Sequence, residues 1–297
     1  MKASALGCYG QPLPVSPFLD GLARRSAVLE QCHTVHTKCV PSRASLLTAQ
    51  YPHVNGHRTL ELHVRPHEPN LVKSLRDAGY QTGIAGKNHV VDNETLPETF
   101  DVALKPDGGI TPEPEASRMP RGSYWVGQDP LGLEGFRDHQ VTHKACNWIE
   151  NDRDSDRPFF LWLNWGSPHP PYGIPEPYYG YIDRSAIELP PEDDPQNKPA
   201  FQKVLRRVYG MERMTKDDWR EVIGTYLDMC HFVDEQVRLI FKSLERAGLL
   251  EDTIVAIWSD HGDFAGEHQL PEKWDTCFYD CITRVPLILH VPGRFAG

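Results

Sequence analysis

Residues 215–262 read TKDDWREVIGTYLDMCHFVDEQVRLIFKSLERAGLLEDTIVAIWSDHG. In this stretch a long amphipathic segment is followed by a short apolar run and then by polar residues. Apolar residues recur every three or four positions through the first part, which predicts a long helix with one buried face. Thr215 and Asp218 have the spacing of a capping box at the start of that helix, and Gly248 is placed to end it. Residues 253–258 are largely apolar and β-branched, and they predict a buried strand after the helix.

Predicted helices and strands alternate along the rest of the chain as well. Residues 70–79 and 136–149 are predicted to be helices, whereas residues 80–85, 158–164 and 285–291 are predicted to be strands. Helices that alternate with continuous apolar strands are typical of a parallel sheet covered on both faces. The sequence therefore predicts an α/β fold in which a mostly parallel central sheet is sandwiched between helices.

The composition restricts the kinds of partner that the chain can have. Among 297 residues, 41 acidic side chains outnumber 31 basic ones, and the net charge of -10 disfavours nucleic acid and anionic membranes as partners. No apolar run reaches the roughly 18 residues that a membrane-spanning helix needs. Residues 101–135 and 170–214 are rich in proline, glycine and charge, so we expect long surface loops there, within a single domain over residues 1–297.

Polar clusters come directly after three of the predicted strands. They comprise residues 86–89, residues 167–169 and residues 259–262. In parallel α/β sheets, ligands bind at the carboxyl ends of the strands. We therefore expect these clusters to meet in one shared site.

The cysteine-rich segment near the N-terminus allows more than one chemical interpretation. Cys39 is followed by Arg43, but the three residues between them are too few for the phosphate-binding loop of a thiol phosphatase, which excludes that class. Cys32, His33 and His36 offer three further potential zinc ligands beside Cys39. Their spacing fits no common zinc finger, and a zinc site would leave the run after Cys39 unexplained.

The run CVPSRASLLT at residues 39–48 closely resembles the signature of the type I, formylglycine-dependent sulfatases of the alkaline phosphatase superfamily. The family pattern continues with Thr-Gly, and this chain has Ala49 in place of the glycine. Residues 86–89, 167–172 and 259–268 resemble further elements of the family and occur in the family's order. The resemblance extends over nearly the whole chain.

The resemblance implies an activity, a modification and partners. Members hydrolyse sulfate esters on an alkaline phosphatase-like fold, so the expected substrate is a small-molecule or saccharide sulfate ester. In these enzymes the signature cysteine, here Cys39, is oxidised to formylglycine, an aldehyde that hydrates to a geminal diol. The expected protein partner is a formylglycine-generating enzyme or an anaerobic sulfatase-maturating enzyme. A phosphonate or phosphate monoester hydrolase of the same superfamily is the nearest alternative activity.

The resemblance also implies a set of catalytic residues, which are Cys39, Arg43, Lys87, His89, His169 and Lys273. Arg43 would anchor the formylglycine, and Lys87 would hold a sulfate oxygen. His169 and Lys273 would also hold sulfate oxygens, and one of the two would protonate the leaving alcohol. His89 would accept a proton from the second hydroxyl of the diol as sulfate is released.

The metal ligands implied by the resemblance are Asp260, His261 and the formylglycine from Cys39. Most members bind calcium, so a divalent cation, in the first place calcium, is the expected cofactor. Many members have asparagine where this chain has His261, and an imidazole is a softer ligand than calcium prefers.

Two parts of the family pattern have no counterpart in the sequence given. Members have an apolar strand ending in aspartate before the part that matches residues 2–10, and a smaller subdomain after the part that matches residue 297. The resemblance therefore implies a catalytic domain that is incomplete at both ends, and a non-catalytic sulfatase-like protein is a further alternative. No signal peptide is visible in this sequence, so the chain as written would stay in the cytoplasm, whereas a preceding leader would direct it to the periplasm or outside the cell. The sequence therefore leaves the location unassigned.

Overall fold

The computed structural model describes residues 1–107, 119–274 and 277–295. Besides short 3-10 turns and one π-helical turn, it has α-helices that vary from single turns to one long helix. They are α1 (Pro17–Ala23), α2 (Cys39–Thr48), α3 (Pro52–Asn55), α4 (Leu71–Asp77), α5 (Leu96–Thr99), α6 (Gly132–Gly135), α7 (Arg137–Asn147), α8 (Ala200–Val208), α9 (Lys216–Arg246) and α10 (Asp280–Thr283). The predicted helices at residues 70–79 and 136–149 correspond to α4 and α7.

The strands are short. They are β1 (Ala27–Val28), β2 (Gln81–Gly86), β3 (Val102–Leu104), β4 (Trp125–Gln128), β5 (Phe159–Asn164), β6 (Tyr172–Ile174), β7 (Val255–Trp258) and β8 (Leu287–His290). The predicted strands at residues 80–85, 158–164, 253–258 and 285–291 correspond to β2, β5, β7 and β8.

These strands form three small sheets in the described part of the chain. The order β3-β2-β5 is parallel throughout, and β4 pairs with β6 in parallel. In the third sheet, β8 lies between β1 and β7 and is antiparallel to both. The α/β fold class is confirmed, but β8 departs from the parallel arrangement. Parallel neighbours need a long crossover, usually a helix. In the described residues between β7 and β8 the structure has two short helices, the 3-10 turn Glu267–Gln269 and the four-residue α10.

Helix α9 is the longest element and packs against the rest of the fold along most of its length. The predicted capping box is present, because the Thr215 hydroxyl accepts from the Asp218 amide while the Asp218 carboxylate accepts from the Thr215 amide. Its apolar face includes the fully buried Tyr226 and Phe232. Among the described helices, α9 included, none combines the length and the hydropathy needed to cross a membrane.

The two segments predicted as surface loops contain regular structure, which corrects that expectation. Residues 101–135 include β3 and β4, although residues 108–118 lie outside the described part. Residues 170–214 include β6 and α8, and Tyr172 of β6 is fully buried. The strands β4 and β6 pair with each other and lie against α9, where the Trp125 indole donates to the Thr225 hydroxyl at 3.1 Å. The proline and glycine content of these segments predicted loops and not strands. Short strands of this kind are stabilised by pairing and burial, which the local sequence does not show.

Candidate active site

The polar residues after β2 and β5 are brought together by a tight backbone contact. Gly86 ends β2 with φ of +86°, and a Cβ atom there would lie 2.1 Å from the Asn164 carbonyl oxygen. Only glycine fits this position without strain. The next amide, that of Lys87, donates to the same Asn164 carbonyl at 3.2 Å. Lys87 is therefore held at the edge of the sheet where β5 also ends.

Cys39 begins α2 and is buried against His261. The His261 Nδ1 atom lies 2.7 Å from the Gly262 carbonyl oxygen, so it carries the ring proton and Nε2 is left as an acceptor. The Cys39 Sγ atom lies 3.1 Å from that Nε2. Burial raises the pKa of Cys39 and lowers the pKa of His261 to about 3, so both groups are neutral at neutral pH.

Arg43, one turn further along α2, binds Asp260. Its Nε atom donates to Asp260 Oδ2 at 2.7 Å, and both side chains are largely buried. Burial by itself would raise the pKa of Asp260, but the Arg43 guanidinium and the neighbouring His261 hold that pKa well below its usual range. Asp260 is therefore a permanent anion in the site. The Asp260 main-chain carbonyl is also bound, by the hydroxyls of Ser42 at 2.6 Å and Thr34 at 2.8 Å.

His169 and Lys273 form a hydrogen-bonded pair with a defined proton position. The His169 Nδ1 atom donates to the Pro170 carbonyl at 2.5 Å, so Nε2 is the acceptor for the Lys273 ammonium at 2.7 Å. Burial and the charge of Lys273 lower the pKa of His169 to about 2. The Glu272 carboxylate also accepts from Lys273, at 3.0 Å. In this pair the proton available for transfer is on Lys273.

Lys87 and His89 follow β2, and both side chains are partly buried. Burial lowers the pKa of Lys87, and the positive charges of Arg43 and Lys273 lower it further. Burial and the charges of Lys87 and Arg43 lower the pKa of His89 to about 4. The buried Nδ1 atom of His89 has no hydrogen-bond partner among the described residues. His89 is therefore an uncharged histidine with unused hydrogen-bonding capacity.

Three of these residues could hold a metal ion, and we call them the signature cluster: Cys39, Asp260 and His261. Their potential ligand atoms all lie within 4.8 Å of one another. Asp260 is ionised, and the Nε2 atom of His261 has a lone pair available. The donor set fits a divalent cation. It contains one carboxylate, which is fewer than calcium sites usually have, so calcium in particular is suggested by the family resemblance and not by these ligands.

The structure thus brings the sequence-predicted site residues into one region, while their catalytic roles stay predictions. It also shows residues that the sequence analysis gave no role. The Tyr172 hydroxyl donates to Asp263 Oδ1 at 2.6 Å and accepts from the Glu272 amide at 2.7 Å, which ties the segment of His169 to the segment of Lys273. In the sequence, the only indication of this role was the position of a tyrosine three residues after His169. The Met1 amino group also lies here, 2.8 Å from the His261 carbonyl oxygen.

The chain is similar to known proteins over nearly its whole length. The family model described as Sulfatase matches residues 1–297. Iduronate 2-sulfatase of Mus musculus is 27% identical over 98% of this chain and 58% of its own length, and choline-sulfatase of Rhizobium meliloti is 28% identical over 95% and 59%. The crystal structure of a phosphonate monoester hydrolase of Agrobacterium radiobacter matches with a TM-score of 0.81 at 20% identity, over 98% of this chain and 66% of that one. The chain thus spans about three fifths of the length of these curated relatives.

Proposed function

Because the chain belongs to the sulfatase family, we propose that it hydrolyses sulfate esters with a nucleophile derived from Cys39. The observation that carries this proposal is a buried cysteine at the start of α2 that lies within the electrostatic reach of two lysines, Lys87 and Lys273. A sulfate ester brings negative charge into the site. Ammonium groups at fixed positions stabilise that charge as it moves onto the sulfate and leaving-group oxygens.

The conversion of Cys39 to formylglycine is part of the proposal. The modified residue would supply a geminal diol, one hydroxyl of which attacks while the other allows sulfate to be released. The thiol itself is a poor nucleophile here, since burial raises the pKa of Cys39. This electrostatic environment supports a role for Cys39 as the precursor of the nucleophile.

Lys273 is proposed as the acid that protonates the leaving alcohol. The sequence left His169 and Lys273 as equal candidates. With Nδ1 of His169 donating to Pro170 and Nε2 accepting from Lys273, the imidazole has no proton to give in this direction. His169 would instead orient the ammonium of Lys273.

The remaining residues of the site have supporting roles. Asp260, His261 and the modified residue 39 would hold the divalent cation, for which we propose calcium, and the bound cation would polarise a sulfate oxygen as a Lewis acid. Arg43 keeps Asp260 ionised and in place. His89 is neutral at neutral pH and would accept a proton as sulfate is released.

The proposed substrate is a small-molecule or saccharide sulfate ester. The relatives support this range, because they include an iduronate 2-sulfatase and a choline-sulfatase. The structural likeness to a phosphonate monoester hydrolase keeps phosphonate monoesters as the alternative substrate class.

The test is to express the chain together with a formylglycine-generating enzyme and to assay modification and turnover in the same preparation. A hydrazide probe and peptide mass spectrometry should find an aldehyde at residue 39, and an aryl sulfate should be hydrolysed faster than an aryl phosphonate monoester. The Cys39→Ala protein is the control for both readouts. An unmodified thiol with no sulfate turnover would contradict the proposal, and preferential phosphonate hydrolysis would favour the alternative.

A further inference from the structure

A second carboxylate–histidine pair follows the first in the loop after β7. It consists of Glu267 and His268, and a cysteine, Cys281, lies beside it. The potential ligand atoms of these three residues all lie within 4.8 Å of one another. We call this group the loop cluster. Thiolate, imidazole and carboxylate are the three ligand types that zinc uses in proteins.

The backbone brings Cys281 to the loop by a close contact. The Gly262 amide donates to the Ile282 carbonyl at 2.6 Å, and the Asp263 amide donates to the Cys281 carbonyl at 2.8 Å. A Cβ atom on Gly262 would lie 2.0 Å from the Cys281 carbonyl oxygen, so glycine is required for this approach. The thiol of Cys281 is consequently fixed next to the turn that carries Glu267 and His268, and the side chain is buried.

His268 is oriented in the way that metal-bound histidines usually are. Its Nδ1 atom lies 2.9 Å from Asp193 Oδ2. Asp193 in turn accepts from Lys198 at 3.0 Å and from Gln202. Although burial opposes it, these bonds lower the pKa of Asp193, so the carboxylate is ionised. A histidine whose Nδ1–H is held by a carboxylate presents Nε2 as a ligand, and metal-bound histidines almost always donate their other ring N–H to a carboxylate, a backbone carbonyl or water.

Cys281 and Glu267 both have coordinating capacity that the described residues do not use. The Cys281 thiol makes no hydrogen bond within the described part of the chain. Glu267 Oε1 binds the Lys2 ammonium at 2.6 Å, which leaves the second carboxylate oxygen for a single metal bond. With a thiolate and a carboxylate beside one ammonium, a bound divalent cation would not leave a large unbalanced charge.

We propose that Glu267, His268 and Cys281 bind a zinc-class divalent cation at a site separate from the signature cluster. Binding replaces the proton on the Cys281 sulfur with the metal, so that one proton is released for each ion bound. The three protein ligands leave one tetrahedral position for water. The ion would join the turn at residues 266–269 to α10, and it would thereby stabilise the segment between β7 and β8.

Cobalt(II) tests this proposal, because it replaces zinc and absorbs in the near ultraviolet when a thiolate binds it. The whole chain is purified as Cys39→Ala, which removes the thiol of the signature cluster, and is titrated with cobalt and then with zinc. We expect a thiolate-to-cobalt band that saturates at one equivalent and is displaced by zinc. A Cys281→Ser change in the same background should abolish the band, whereas Cys146→Ser, a thiol on α7, should leave it unchanged.

Two further variants keep the result interpretable if Cys281→Ser fails to fold. His268→Gln and Glu267→Gln should each weaken zinc binding by at least about tenfold and should reduce the rise in melting temperature that saturating zinc produces. The proposal is overturned if no thiolate band forms, if the band survives Cys281→Ser, or if both of the other variants bind zinc as tightly as their parent. None of these readouts depends on sulfatase activity.

Discussion

The signature cluster and the loop cluster contain the same three kinds of ligand, but the charges around them differ. In the signature cluster the carboxylate is paired with the Arg43 guanidinium, and the ammonium groups of Lys87 and Lys273 act on the cysteine. In the loop cluster the carboxylate is paired with Lys2, and the histidine is held by the acidic Asp193. The first arrangement adds positive charge where an anionic substrate can use it. The second adds a carboxylate behind the histidine, which favours the binding of a cation.

This difference shows that a motif of carboxylate, histidine and cysteine does not determine its own chemistry. The carboxylate–histidine pairs of the two clusters come from one loop and are separated by a few residues, so the local sequence alone cannot distinguish them. What distinguishes them are side chains from distant parts of the chain, such as Arg43 on α2 and Asp193 before α8. Substitutions of the groups around each cluster, and of a buried carboxylate without an ion-pair partner, therefore test whether these surroundings set the chemistry.

The largest effect is expected from Cys39→Ala. Removing the precursor of the nucleophile should lower kcat for an aryl sulfate by at least about 10⁴-fold, because the alternative is direct attack by water. The melting temperature should change little in comparison. The matched control is Cys146→Ala, another cysteine, which should retain the parent kcat. If Cys39→Ala kept activity within tenfold of the parent, the assignment of the nucleophile would be wrong.

The next effect concerns the cations that hold the two carboxylates. Arg43→Ala leaves the buried, ionised Asp260 without its partner, and we expect a loss of about 3–5 kcal/mol in the free energy of unfolding. Lys2→Ala should cost about 1 kcal/mol or less, because nearly a third of the Glu267 side chain is exposed and water screens the pair. Denaturant unfolding of both variants measures the difference. Equal losses would mean that the two clusters do not differ in the way described.

Lys273→Ala should reduce catalysis without reducing stability to the same extent. An ammonium that donates a proton and binds the developing charge contributes about 10²-fold or more to kcat. The loss should fall on kcat more than on KM, since the charge grows in the transition state. Lys144→Ala, which removes a surface lysine on α7, is the control and should behave like the parent. If the Lys273→Ala protein kept the parent kcat, Lys273 would not be the acid, and His169 would be the remaining candidate.

Much of this site could be anticipated from sequence because its residues follow strands. The segments after β2, β5 and β7 were recognisable by their polar residues, and α9 by its periodicity and its capping box. The loop cluster could not be anticipated, because it needs the Gly262 backbone to contact residues 281–282. The role of Tyr172 was hidden for the same reason: it depends on hydrogen bonds to Asp263 and Glu272, about a hundred residues away. Long-range pairing, which also sets the direction of β8, leaves no signal in local composition.

The comparison can be extended to a buried carboxylate that makes no ion pair among the described residues. Asp234 on α9 is fully buried and accepts hydrogen bonds from the amides of Phe18 and Leu19 at the start of α1. Burial raises the pKa of Asp234 to about 7, and the acidic neighbours Glu235 and Asp20 act in the same direction. Asp260, which is also buried but is bound by Arg43, has its pKa shifted the opposite way.

A raised pKa of Asp234 implies that the folded protein holds a proton that the unfolded chain has already lost. Between the ordinary aspartate pKa near 4 and a pH near 7, the free energy of unfolding should therefore fall as pH rises, and this residue's share of the slope is about 1 kcal/mol per pH unit. Asp234→Asn cannot ionise, so it should flatten the slope, although it loses one of the two amide bonds and should be less stable than the parent at pH 5. Denaturant midpoints from pH 5 to pH 8 measure this, with the exposed Asp217→Asn on the same helix as the control. Parallel curves for the parent and Asp234→Asn would show that Asp234 titrates like an ordinary carboxylate. The pKa of a buried aspartate would then not depend on an ion-pair partner in the way that the contrast with Asp260 implies.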